Sequence, residues 1–253
     1  MVRMINPLKN IAERVKYSLL AEGEHLNPTG IDKLIETTLH LYSASDTSET
    51  NLILLLQRFE LCQDLNEQGY NIPNDVITAL FFQGIFQDPS FPARLTGEYS
   101  DITADFYTEI SLIREDAYAD FVNSVNELLS TAKKGQRVSD DHKSALLLDI
   151  NNSFLAGERN DYLSIVAGIA RRHLSEGVTP EKYVEKRTEH LRGIISRNFI
   201  FHTDPFGDDL DLNARENMRW ETSVIEDIVQ LAGQIKRASQ VFSPNHRTHL
   251  LTP

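Results

Sequence analysis

One stretch of the chain, VITALFFQGIFQDP over Val76–Pro89, constrains the fold more than any other. Every residue of Val76–Phe82 is apolar except Thr78, which predicts a helix that is buried on several sides. The run then breaks at Gln83 and Gly84, a polar side chain followed by a residue without one. Because apolar turns fix such a step within a core, we expect either a pocket or a hydrogen-bonded glutamine beside a close helix contact.

Apolar residues repeat every three to four positions along most of the chain, and no segment alternates as a strand does. The sequence therefore predicts an all-α fold, a bundle of about eight to ten helices. Helices are predicted over 7–21, 31–42, 49–65, 76–84, 102–129 (as two helices), 142–155, 160–174, 180–197 and 212–241. Turn residues predict breaks at 27–30, 43–48, 88–97 and 201–211.

The order of these segments also predicts how the chain divides. We expect residues 1–37 to form an N-terminal helical extension packed on the main body. Residues 38–241 are predicted to form one helical domain, and residues 242–253 a flexible tail.

The charge of the chain limits its partners. Its 253 residues include 37 acidic and 25 basic side chains, a formal net charge of -12. The resulting field repels phosphate backbones and anionic membranes, so we expect neither nucleic acid nor a membrane as a direct partner. The single cysteine, Cys62, has no second cysteine to pair with and lies in an apolar helical run. With no apolar targeting segment at the N-terminus, we expect a cytoplasmic protein.

A series of short motifs follows in order between about His40 and Trp220. In chain order they are Glu49-Thr50-Asn51-Leu52-Ile53-Leu54, Phe82-Gln83-Gly84 with Gln87-Asp88-Pro89, Thr131-Ala132-Lys133-Lys134, Leu148-Asp149-Ile150-Asn151-Asn152, Arg171 with Leu174, Lys186-Arg187, and Ala214-Arg215-Glu216-Asn217. Their order and intervals resemble the HD superfamily, in its branch of predicted metal-dependent phosphohydrolases. The resemblance implies an HD-domain-like helical bundle and, in that family, a divalent-metal site that hydrolyses phosphoesters.

The same resemblance indicates where this chain departs from the family. The family's metal-binding histidines and aspartates fall on Thr50, Leu54, Gln83, Gly84, Asp149 and Asn151. Only Asp149 is an acid, and an uncharged set does not offset the cost of dehydrating a divalent ion. We therefore expect these six residues to form a degenerate former site, with no catalytic residue, no metal and no cofactor.

Positive charge is concentrated on two neighbouring predicted helices of this acidic chain, at Arg171, Lys186 and Arg187. Two interpretations stay open for these residues. They form an anion pocket kept from the ancestral site, or they lie on solvated faces and pair with the glutamates of the second helix.

Taken with the resemblance, these patterns predict a catalytically inactive HD-like scaffold, a pseudoenzyme that acts as a binding or regulatory protein through protein contacts. The acidic segment Phe201–Asp211 favours a partner with a basic face. Two alternatives remain. One is a metal-dependent phosphohydrolase of nucleotides or small phosphoesters with relocated ligands, and the other is a small-anion or nucleotide sensor in the former pocket.

Overall fold

The computed structural model describes residues 2–21, 31–32, 35–36, 38–39, 48–87, 116–134 and 141–241. All regular elements in these residues are helical, which confirms the predicted all-α class. The α-helices with defined ends are α1 (Val2–Ala21), α2 (Ser48–Glu67), α3 (Asn74–Gln87), α4 (Asp116–Lys134), α5 (His142–Asn152), α6 (Arg159–Ser175), α7 (Pro180–Ile195) and α8 (Asp208–Val241). A short 3-10 helix, Ser153–Ala156, follows α5.

Several predicted features lie outside the described residues. They are the turn at 27–30, most of the break at 43–48, the loop at 88–97, the helical pattern at 102–115 and the tail at 242–253.

Contacts between residues group the chain into two compact units. The N-terminal unit consists of Met1–Ser153 with Phe201–Gly207, and the C-terminal unit consists of Phe154–Ile200 with Asp208–Pro253. The segment between α7 and α8 therefore belongs to the N-terminal unit. The predicted extension at 1–37 and single domain at 38–241 stay predictions.

Helix α3 forms the centre of the N-terminal unit. It packs against α1, α2, α4 and α5, and every residue of Val76–Gln83 is buried, as its sequence predicts. The Phe81 ring makes edge-to-face contacts with Phe59 of α2 at 6.5 Å and with Phe82 at 5.0 Å between centroids. Cys62 of α2 is buried as well, and burial raises the pKa of its thiol to about 12.

Helices α6, α7 and α8 pack against one another in the C-terminal unit. Their apolar stripes supply its core, with the largest buried side chains at Tyr162, Ile165, Leu191 and Met218. Residues three to four apart on each helix face inward, so the sequence periodicity translates directly into packing.

Helix ends follow local chemistry. Thr179 caps α7, because its Oγ1 accepts a hydrogen bond from Lys182 N at 3.3 Å. Gly177 follows the end of α6 with φ +86°, a conformation that favours glycine. Helix α8 begins at Asp208 rather than at residue 212, because acidic side chains in a first turn complement the helix dipole. Helix α1 begins at Val2 rather than at Pro7.

No helix within the described part of the chain is both long and apolar enough to cross a membrane.

Candidate functional site

The three helices that carry the predicted former site pack on one another in the N-terminal unit. Helices α2, α3 and α5 are in pairwise contact. Thr50 and Leu54 are one turn apart and share a face of α2. Thr50 and Gln83 are buried, and Leu54 is partly exposed. The predicted end of the helix at Gln83 and Gly84 is wrong, because α3 continues through Gly84 to Gln87. The fold thus brings together the helices that the resemblance singled out.

Asp149 of α5 is the one acid in this set, and its carboxylate holds a loop. It is fully buried, and its Oδ2 accepts hydrogen bonds from His202 N at 2.8 Å, Thr203 N at 2.7 Å and Thr203 Oγ1 at 2.7 Å. Burial raises the pKa of the Asp149 carboxyl, while these three hydrogen bonds act to lower it. Asp149 therefore anchors the segment Phe201–Gly207 within the N-terminal unit.

Asn151 lies two residues after Asp149, which separates the two side chains by about 200° around an α-helix. Residues at this spacing do not face each other, so one site does not collect both side chains. Asn151 is 7% exposed, and its amide atoms have no hydrogen-bond partner in the described part of the chain. The resemblance groups Asp149 with Asn151, but the helix directs them apart.

These residues form a weak ligand set for a divalent metal ion. The set contains one carboxylate, whose Oδ2 already accepts three hydrogen bonds, while its Oδ1 is buried and has no hydrogen-bond partner among the described residues. The other residues offer a hydroxyl and two neutral amides, a weak donor set for a hard divalent cation. Elsewhere among the described residues, no group of three or more His, Cys, Asp or Glu side chains is placed to hold a metal.

The predicted anion-binding residues lie on α6 and α7, which are in contact in the C-terminal unit. Arg187 does not face a glutamate of its own helix. Its Nε lies 2.8 Å from Oε1 of Glu221 on α8, and its Nη2 lies 3.1 Å from Oε2. Lys186 is exposed and Arg171 is partly buried. Of the three residues predicted to bind an anion, Arg187 is therefore already paired with a carboxylate of the protein.

Glu221 also accepts a hydrogen bond from the Tyr162 hydroxyl, so α6, α7 and α8 meet at this carboxylate. Burial raises the pKa of the Tyr162 hydroxyl, and the neighbouring charge of Glu221 adds to the rise. Burial alone lowers the pKa of Arg187, but the hydrogen bonds and charge of Glu221 more than offset it. Sequence reasoning missed Glu221. The available signal was an acid between Met218 and Ile225 on the apolar stripe of α8.

The rings of His173 on α6 and Tyr183 on α7 contact each other, with centroids 5.5 Å apart. Burial lowers the pKa of His173, and the charge of Arg172 lowers it further. Nδ1 of His173 lies 3.5 Å from Glu176, which opposes the shift. Burial raises the pKa of Tyr183 to about 12.

The last motif of the resemblance, Ala214-Arg215-Glu216-Asn217, has structural contacts. Arg215 pairs with Asp211 at 2.8 Å and donates to the carbonyl oxygens of Ile195, the last residue of α7, and of Arg197 and Asn198 just after it. Asn217 Nδ2 donates to the carbonyl oxygens of Leu155 and Gly157, both at 2.9 Å. These side chains fix the loops around the C-terminal unit's helices.

A polar pocket of about 420 Å³ lies at the start of α3, against α4 and α5, in the N-terminal unit. Asp75 is buried beside it, and its Oδ2 accepts hydrogen bonds from Lys143 Nζ at 2.5 Å and Ser124 Oγ at 2.6 Å. Its Oδ1 accepts from Val76 N at 2.9 Å. Sequence periodicity does not reveal these contacts, because Ser124 and Lys143 are 49 and 68 residues away from Asp75.

Comparison of the chain with protein-family models, with curated proteins and with solved structures finds no match.

Proposed function

We propose that this protein is a helical binding protein without HD-type hydrolytic activity, and that it acts through contacts with another protein. The main support for this proposal is the burial and hydrogen bonding of the Asp149 carboxylate. The one acid retained among the six former-site positions is buried, with its Oδ2 bonded to the backbone and hydroxyl of residues 202 and 203. A carboxylate oxygen that holds a loop in this way has a structural role, and the remaining oxygen, Asp149 Oδ1, supplies too little anionic charge alone for a divalent metal ion.

The acidic character of the chain supports a partner with a basic face. Asp208 and Asp209 begin α8 as exposed side chains, and the protein as a whole carries a formal charge of -12. Long-range attraction accelerates encounter with a basic surface, and mismatched anionic surfaces are repelled.

The two alternatives have weaker support. A relocated metal site for hydrolysis lacks a candidate cluster among the described residues. A small-anion sensor would need cations that are open to a ligand, but Arg187 is held at two points by Glu221. Lys186 remains exposed, and an exposed lysine alone binds anions weakly.

The hydrolytic half of the proposal is tested by calorimetric titration with manganese, nickel and ferrous ions, and by a nucleotide and phosphoester panel containing the same ions. We expect neither micromolar metal binding nor turnover. Binding or chelator-sensitive turnover that disappears in Asp149→Asn would overturn the proposal. This replacement keeps an acceptor oxygen for His202 and Thr203, so loss of metal binding is separated from loss of the fold.

The partner half is tested by affinity capture from the native cell with mass spectrometry, comparing two variants of equal charge. The Asp208→Asn/Asp209→Asn protein should lose the captured partner, since it removes two exposed charges at the start of α8. The Glu226→Gln/Asp227→Asn protein removes two exposed charges further along the same helix and should retain it. Equal capture by both variants would argue against an acidic docking face at the start of α8.

A further inference from the structure

The pocket at the start of α3 has the size and lining of a ligand site. Its volume, about 420 Å³, lies within the range of about 300–1,000 Å³ that is usual for small-ligand sites. Six of its nine lining residues have polar side chains, and three, Ile72, Pro73 and Phe121, are apolar. A ligand that fits must therefore combine a polar group with a short apolar segment.

The charges of this lining are not balanced. Asp75 is neutralised by Lys143, whose Nζ lies 2.5 Å from its Oδ2, and its second oxygen accepts from Val76 N. Asp120 of α4 also lines the pocket and is exposed, and it makes no ion pair with any residue that the structure describes. Two carboxylates and one ammonium leave the lining with a net charge of -1.

This net negative charge favours a ligand that carries a positive charge. An anion would meet Asp75 and Asp120, and its one attractive group, Lys143, is already paired. A cation would instead pair with Asp120, with the side-chain oxygen of Asn71 as a further acceptor in the lining. The field of the whole chain, with its charge of -12, has the same preference.

We propose that this pocket binds a guanidinium or ammonium group on an aliphatic stem, namely an arginine or lysine side chain of the partner protein. The charged tip pairs with Asp120, and the methylene stem contacts the apolar lining at Ile72, Pro73 and Phe121. This inference rests on the proposed binding function and specifies where a basic side chain of the partner enters. An arginine is the better fit, because its planar donors satisfy a carboxylate at two points.

The test uses capped amino acids, which present the side chain alone. Amide NMR spectra of the full chain are recorded with increasing N-acetyl-arginine amide, N-acetyl-lysine amide or N-acetyl-citrulline amide. Citrulline has nearly the shape of arginine but no charge. We expect the arginine compound to shift amide signals of non-proline residues within 71–75 and 120–124, and the citrulline compound to bind more weakly by up to about fivefold, the upper end for an exposed ion pair. Equal binding of the two, or shifts elsewhere in the chain only, would overturn the proposal.

A matched pair of variants locates the interaction. Asp120→Asn should weaken binding of the arginine compound by about fivefold, whereas Asp64→Asn, an exposed acid on α2 outside the pocket, should leave it unchanged. The same loss in both variants would mean that net charge alone attracts the ligand, and the pocket assignment would fail.

The Lys143→Gln substitution should change the affinity of the pocket in opposite directions for cationic and anionic ligands. Removing this ammonium removes a like charge from the pocket and leaves Asp75 without its cation. A cationic ligand should therefore bind more tightly to Lys143→Gln than to the unaltered protein. Weaker binding would show that Lys143 contacts the ligand as a donor, which contradicts the proposal.

Failure of this test and failure of the proposed function are distinguishable. The capture experiment compares charges at the start of α8 and in the middle of that helix, and none of its four substitutions lines the pocket. Capture with no binding of capped arginine would refute the pocket and keep the binding function.

Discussion

Arg187 and Glu221 form a two-point ion pair between α7 and α8, with nitrogen-to-oxygen distances of 2.8 Å and 3.1 Å. The side chains are 12% and 1% exposed, so water hydrates neither charge well. Each charge is therefore stabilised mainly by the other. The hydroxyl of Tyr162 donates to the same carboxylate from α6. One acid therefore joins the three α-helices that the structure describes in the C-terminal unit.

Arg187→Met should destabilise the C-terminal unit by about 3–5 kcal/mol, because it leaves a buried carboxylate without its cation. The measurement is urea unfolding followed by the fluorescence of Trp220, the only tryptophan of the chain and a residue of this unit. Lys186→Met is the control. It removes an exposed charge from the adjacent position and should change the free energy of unfolding by less than about 0.5 kcal/mol.

Replacing all three polar side chains, Arg187, Glu221 and Tyr162, tests why Arg187→Met loses stability. A protein with Arg187→Met, Glu221→Leu and Tyr162→Phe buries no charge at this point, and apolar replacement of a buried ion pair is often neutral or stabilising. It should therefore be more stable than Arg187→Met alone. A triple variant that is less stable than the single one would show that the ion pair itself, rather than the unpaired carboxylate, carries the energy.

The sequence predicted the helices of this protein but not the polar contacts between them. The period of the apolar residues in Val76–Phe82 and in α8 is a local property, and it correctly predicted helices and their buried faces. The partner of Arg187 is 34 residues away on another helix, and the partners of Asp149 are 53 and 54 residues away in a loop. Such pairs depend on how helices pack, which periodicity does not encode.

The resemblance to the HD superfamily selected three helices that contact one another, but it did not predict the contacts of their side chains. It aligned Asp149 and Asn151 as remnants of one ligand set. The helical geometry of α5 directs the two side chains apart, and Asp149 instead holds residues 202 and 203. A motif gives the order of residues, whereas a ligand set also requires that they converge.

Asp149→Ala should loosen the segment Phe201–Gly207. Its removal leaves three donors without their acceptor, two backbone amides and the Thr203 hydroxyl. We expect a loss of about 3 kcal/mol in unfolding free energy, measured by circular dichroism in urea, and faster hydrogen exchange at the amides of His202 and Thr203. Thr203→Val removes only the hydroxyl contact and should cost about 1 kcal/mol. Unchanged exchange at both amides in Asp149→Ala would contradict the anchoring role.

His173 should make the stability of the C-terminal unit depend on pH. Its pKa is lowered in the folded protein by burial and then by Arg172, so the unfolded chain takes up its proton at a higher pH. Stability is therefore present above about pH 6.5, the unfolded value, and is lost as pH falls through the lower folded pKa. His173→Gln should reduce the loss of stability between about pH 7 and pH 5, measured through Trp220. His142→Gln, an exposed histidine of the N-terminal unit, should leave that dependence unchanged.

Asn217 joins the N-terminal third of α8 to the chain just before α6. Its Nδ2 supplies donors to the carbonyl oxygens of Leu155 and Gly157, and it is buried. Asn217→Ala removes both hydrogen bonds and should lower the free energy of unfolding by about 2 kcal/mol, as read from Trp220 fluorescence in urea. Asn213→Ala, one turn earlier and exposed, is the matched control. Both replacements gain the same helix propensity, so their difference isolates the two hydrogen bonds, and equal stability of the two variants would show that these bonds contribute nothing.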